Sequence, residues 1–136
     1  MKNNILYLLL FFSASFFGQP KDKIRRTNIE IANVDHVRLC KKLKKPVIVT
    51  GADSSYSEIY RNLSTEQTQH IIDEWNSSEY IGSCKFEPKY YIEVFLKDGT
   101  QRIIKLNGSL KEQKDYCFQP KDKSFFKNLW EKAKEN

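Results

Sequence analysis

The stretch KYYIEVFLKDGTQRIIKLN, residues 89–107, decides the fold of this chain. Two alternating apolar runs flank Lys97-Asp98-Gly99-Thr100, which is the signature of a β-hairpin. The register follows from the pattern of side chains. A two-residue Asp98-Gly99 loop would set Ile92 against Lys105 and Leu96 against Gln101. A three-residue loop, Lys97-Asp98-Gly99, instead sets Tyr90 opposite Leu106 and Ile92 opposite Ile104, and puts Gly99 at the left-handed position such loops require. Because a slip of one residue turns every side chain over, the second register is the one that keeps Tyr90, Ile92, Val94 and Leu96 on one core face. The other face then carries Tyr91, Glu93, Phe95, Ile103 and Lys105. It is mixed rather than polar, so it is either covered by another element or offered to a partner.

Working outward, Asn107-Gly108 reads as a second turn, and Asp115 to Phe118 as a third short strand ended by Pro120. Upstream, Ser64-Thr65-Glu66-Gln67 has capping-box spacing, and Thr68, Ile71, Ile72 and Trp75 form a helical stripe that Asn76-Ser77-Ser78 stops. A C-terminal helix starts near Ser124, with Phe126, Leu129, Trp130 and Ala133 as its apolar stripe. Thr27 to Ile31 alternates and reads as a short strand, as does Pro46 to Thr50. Val34 to Lys45 is ambiguous, and the spacing of Val34, Val37 and Cys40 tips it towards a short helix ended by Pro46. Residues 51–63 read as a loop with one helical turn. The expected fold is a small α+β domain, a mainly antiparallel sheet around a central hairpin with a middle helix and a C-terminal helix packed on one face.

Composition limits the alternatives. The chain has 136 residues, 40% of them apolar and 29% charged, with 5 Gly and 4 Pro. Those values fit one globular domain and exclude a low-complexity chain. A mean hydropathy of −0.62 excludes a polytopic membrane protein. Lys2 followed by the apolar run Ile5 to Phe12 and then small residues has the layout of a secretory signal peptide. The expected organisation is a signal peptide over 1–18, a flexible arm over 19–26 and a single domain over 27–136. Loss of the leader takes one lysine from the 23 basic residues and none from the 17 acids, leaving a balance of +5. The mature chain is therefore expected in the periplasm or outside the cell, with no stable membrane insertion.

The leader ending Phe16-Phe17-Gly18-Gln19, and the run Cys84-Lys85-Phe86-Glu87-Pro88-Lys89-Tyr90 followed by Lys97-Asp98-Gly99-Thr100, resemble small exported Bacteroidota proteins of unknown function. The resemblance implies no activity and no site residues.

Candidates for chemistry are few. Cys84 and Cys117 bracket the hairpin. Of three possible pairings among three cysteines, theirs needs the least coil, so a bridge is favoured over two buried thiols. Closing that loop is worth about 3–4 kcal/mol in the chain-entropy model. Cys40 is left as a small buried hydrophobe. His36 with Cys40, and His70 between Glu66 and Glu74, have spacings that could put two metal ligands together, but no third or fourth ligand accompanies either pair, so no metal and no cofactor is expected. A Cys40–His70 or His36–His70 pair is conceivable for a small hydrolase or thiol enzyme, although no catalytic motif accompanies it. Lys41, Lys42, Lys44 and Lys45 form the densest basic run, which with Arg25, Arg26 and Arg38 is a candidate patch for anionic envelope polymers; no nucleic-acid partner is expected of an exported chain. The expected function is a non-catalytic binding domain for an envelope or secreted macromolecule, inhibitor- or immunity-like, with Tyr91 and Phe95 as interface candidates.

Overall fold

The computed structural model of the protein describes residues 26–44 and 56–135. The expected leader, the arm as far as residue 25, and the expected strand Pro46 to Thr50 lie outside these residues. In chain order the elements are β1 (Val34–Lys44), β2 (Tyr56–Asn62), α1 (Thr65–Ser77), β3 (Glu79–Ser83), β4 (Tyr90–Leu96), β5 (Gln101–Asn107), β6 (Ser109–Lys111), β7 (Tyr116–Gln119), α2 (Lys123–Lys127), α3 (Leu129–Lys132) and the short β8 (Lys134–Glu135). The strands make one sheet in the order β3-β7-β6-β5-β4-β1-β2-β8, and every ladder is antiparallel.

The hairpin has the register its pattern demands. Tyr90 lies opposite Leu106 and Ile92 opposite Ile104, and Gly99 adopts φ 88° in the three-residue loop. Asp98 completes that loop by accepting from the Thr100 backbone amide at 2.8 Å and from its hydroxyl at 2.6 Å. The inward residues Tyr90, Ile92, Val94, Ile104 and Leu106 are all buried.

α1 begins as its capping box dictates. The Ser64 hydroxyl accepts from the Gln67 amide at 3.1 Å, and the Gln67 side chain accepts from the Ser64 amide at 2.9 Å. Its buried stripe is Thr68, Ile71, Ile72 and Trp75, and Trp75 meets Phe118 of β7 edge-on at 5.4 Å. Phe126, Leu129 and Trp130 of the C-terminal segment complete the same core. That segment is two short helices and not one, broken at Asn128. The Asp122 side chain caps α2 by accepting from the Phe125 amide at 3.1 Å. Glu74 of α1 accepts from the amides of Lys121 and Asp122, which ties this segment to the middle helix. All helices thus pack on one face of the sheet, the α+β arrangement expected.

Three local expectations are corrected. Residues 34–44 are the strand β1, central in the sheet between β4 and β2, and not a helix. Residues 56–62, expected in a loop, are the strand β2. Thr27 to Ile31 forms no strand, and a single 3-10 turn at Ile31–Asn33 leads into β1. It is nonetheless anchored. Ile29 is buried, the Asn76 side chain donates to its carbonyl at 2.7 Å and accepts from its amide at 2.8 Å, and the Trp75 indole donates to the Thr27 carbonyl at 3.2 Å. Arg26, at the end of the expected arm, is buried as well and donates to the Ser78 carbonyl and hydroxyl. Strands β3, β6 and β8 are additional to those read from sequence.

Cys84 and Cys117 form the expected disulfide, with Cα atoms 5.8 Å apart. Strand alternation puts Phe118 on the helix side and Cys117 on the opposite face. The bridge therefore ties the loop before β4 across the outer side of β6 and β7. There Phe86 lies over the Lys111 ammonium, 4.4 Å from its ring centroid, and Lys111 is buried.

Candidate interaction face

Beyond that loop, no helix among the described residues covers the outer face of β5, β4, β1 and β2. Alternation brings a defined set of side chains to it. β4 contributes Tyr91, Glu93 and Phe95; β1 contributes His36, Arg38, Cys40 and Lys42; β2 contributes Glu58 and Tyr60; and β5 contributes Ile103 and Lys105. The ladders set them in rows, Phe95 beside His36, Glu93 beside Arg38, and Tyr91 beside Cys40 and then Tyr60.

Arg38 is the centre of this surface. Its guanidinium lies 3.9 Å from the Tyr60 ring centroid and 5.0 Å from that of Phe95, and its Nε donates to Glu93 Oε2 at 2.5 Å. The His36 ring stacks on the other part of the row, 4.3 Å from Phe95, while its Nδ1 lies 2.7 Å from Asp35 Oδ2. Lys42 rests 4.6 Å from the Tyr91 ring and 3.9 Å from Glu58. Cation and aromatic groups thus alternate along one strip, each in contact with the next. Ile103 adds an apolar side chain that is 41% exposed.

Two titrations on this face are displaced. The Tyr60 hydroxyl donates to Glu58, and that bond, followed by burial, pushes the phenol up to about 12. The phenol therefore stays protonated as a donor. Burial pushes the Cys40 thiol up, and the carboxylates of Glu93 and Glu58 add to the shift. Cys40 is free, 2% exposed and held in the neutral thiol form, the buried small hydrophobe expected of it.

The candidate residues are distributed as follows. Tyr91 and Phe95 share the open face, half-buried. Lys41 and Lys42 point to opposite sides of the sheet, since they are neighbours on a strand. Lys41 lies on the helix side, 5.8 Å from the Tyr90 ring and 5.7 Å from the Trp130 ring. The side chain of Lys44, and Lys45 entirely, lie outside the described residues. The lysine run therefore does not make one continuous patch at Lys41 and Lys42.

His70 lies on α1, stacked on Phe125 at 3.9 Å, with Asp122 Oδ2 at 3.5 Å and Glu74 Oε1 at 3.9 Å. His36 and Cys40 are on the far side of the sheet, so neither the Cys40–His70 nor the His36–His70 pair is brought together. Among the described residues no group of three His, Cys, Asp or Glu side chains could hold a metal ion. Arg38 and Tyr60 were the contributors least visible in the sequence. The signal for Arg38 is its register position opposite Glu93, which appears once 34–44 is read as a strand. Tyr60 lay in a segment read as a loop.

No protein-family model, curated protein or solved structure matches this chain. Among the described residues no helix is long and apolar enough to cross a membrane.

Proposed function

We propose that this protein is an exported, non-catalytic binding domain of the small Bacteroidota type, and that an envelope or secreted protein docks on the helix-free face of its sheet, in the manner of an inhibitor or immunity protein. The observation that carries the reading is Arg38 clasped between Tyr60 and Phe95 and pinned by Glu93. Arginine and tyrosine dominate the energetics of protein interfaces, and side chains already immobilised lose little entropy when a partner arrives. The basic balance of the chain favours an acidic partner, approached by electrostatic steering. The Cys84–Cys117 bridge suits an oxidising compartment. The thiol-enzyme and hydrolase alternatives lose support, because Cys40 is buried as a neutral thiol and the two imidazoles stack on different aromatic rings.

The test is a cross-linking pull-down of the tagged mature protein from its own envelope and culture fluid. Wild type is run beside Arg38→Ala and the double variant Tyr91→Ala/Phe95→Ala, with thermal melts confirming that each variant folds. The reading expects one stoichiometric protein partner, weakened by about 2 kcal/mol or more in each variant. Equal capture by folded variants, or recovery of only salt-labile polymer, overturns it.

A further inference from the structure

On the opposite side of the molecule, under the C-terminal segment, a cleft of about 280 Å³ opens between the start of β4, the end of β5 and α2. Its floor is apolar, formed by Tyr90, Leu106 and Phe126, all buried side chains of the core. Its walls carry Lys89, Lys123 and Lys127, all exposed, and among the described residues no acidic side chain lines it. Among the described residues none of these three lysines makes an ion pair. The Lys89 ammonium lies 5.4 Å from the Tyr90 ring centroid.

This arrangement is electrostatically unfavourable by itself. Lys123 and Lys127 stand four apart on one short helix, where like charges repel, and Lys89 faces the same cleft from just before β4. A single anion seated among them relieves all three at once. The aromatic and aliphatic floor requires that the anion carry an apolar body. The volume, at the lower edge of the roughly 300–1,000 Å³ common for small-molecule sites, limits that body to one ring or a short chain.

We propose that this cleft binds a small amphipathic anion, with a carboxylate or phosphate head held by Lys89, Lys123 and Lys127 and its apolar body on Tyr90, Leu106 and Phe126. The site lies across the sheet from the docking face, so it stands or falls independently of the partner reading. A macromolecular anion is the weaker fit, since the concave floor accepts one compact group.

The test is a titration of the full folded protein, followed by calorimetry and by 1H–15N NMR. The probes are phenyl phosphate and benzoate, with inorganic phosphate and benzyl alcohol as the two halves. The proposal expects saturable 1:1 binding of at least one of the two whole probes, with shifts centred on Lys89, Gly108 and Phe126. Binding of one and not the other identifies the head group. It also expects Lys89→Ala/Lys127→Ala to weaken binding about tenfold or more, since charge-assisted hydrogen bonds carry the head. Both lysines are exposed, so the variant folds as the wild type does, which a thermal melt verifies. Four outcomes overturn the proposal: no saturation by about 10 mM of either whole probe, inorganic phosphate alone binding equally well, benzyl alcohol binding equally well, or unchanged affinity in the lysine variant.

Discussion

Replacing Cys84 and Cys117 together by alanine removes the tie that holds the 84–89 loop across β6 and β7. The bridge closes a loop with a sequence separation of 33. In the chain-entropy model, −2.1 − 1.5R ln n cal/mol/K with n of about 33 gives about 3.7 kcal/mol at 25 °C. A single domain is commonly stable by about 5–15 kcal/mol, so the bridge supplies between a quarter and most of the total. Urea denaturation followed by tryptophan fluorescence measures the loss, because Trp75 and Trp130 both sit in the core. With a slope of about 2 kcal/mol/M the midpoint falls by about 2 M. The slope itself should rise, since the uncrosslinked unfolded chain exposes more surface. Wild type reduced by dithiothreitol must behave like the variant, which separates loss of the crosslink from loss of sulfur packing at buried Cys117. A midpoint shift below about 0.5 M, or about 1 kcal/mol, would refute the reasoning, because it would mean that the unfolded chain gains little entropy on release.

Two further outcomes follow from the titratable groups. Cys40, buried and pushed up in pKa, should resist a thiol reagent such as Ellman's in native buffer and react as a single thiol once the chain is unfolded without reductant; prompt native labelling would contradict its placement. Asp122 is held below the usual carboxylate range, first by the Ser124 hydroxyl, then by the Phe125 amide and the nearby His70. Its folded value being depressed, it stabilises the fold above the unfolded aspartate pKa and loses that contribution as pH falls through the folded one. Asp122→Ala should therefore melt below wild type at neutral pH and converge with it in acid; a gap that is constant with pH would contradict the assignment.

The hairpin and α1 were legible because each obeys a strict local rule. Period-two apolar residues admit a single register that buries Tyr90, Ile92 and Val94 together, and Ser64 with Gln67 announces a helix start. β1 was misread for a physical reason. A bulge between Val34 and His36 shifts the register, so Val34 and Val37 both face the core at a spacing of three, which mimics a helical stripe. Further along the same strand, Lys41 occupies a core-side position and is covered by aromatic rings, which hides the alternation. β2 sets polar Glu58, Arg61 and Asn62 around Ile59 and Tyr60, which masks the strand preference of those two. Arg61 is accommodated by donating to the Trp130 carbonyl at 2.5 Å, a contact made across 69 residues. Of the open face, Tyr91 and Phe95 were visible from the hairpin alone. Arg38 and Tyr60 came to it through pairings that local spacing does not record.

The strand order has a consequence for how the chain assembles. β1 is near the start of the domain, yet one of its two ladders needs β4, and Arg38 meets Glu93 55 residues later. Ile29 likewise waits 47 residues for Asn76. Such long-range pairings must meet their loop-closure entropy before any contact rewards it, so folding is slow and topology-limited. A ribosome releasing this chain from its N-terminus delivers Val37 and Leu39 well before their partners Val94 and Ile92. Until the hairpin emerges β1 has only β2 to pair with, and the domain closes only once Phe118, Leu129 and Trp130 have followed residues 90–107 into the core.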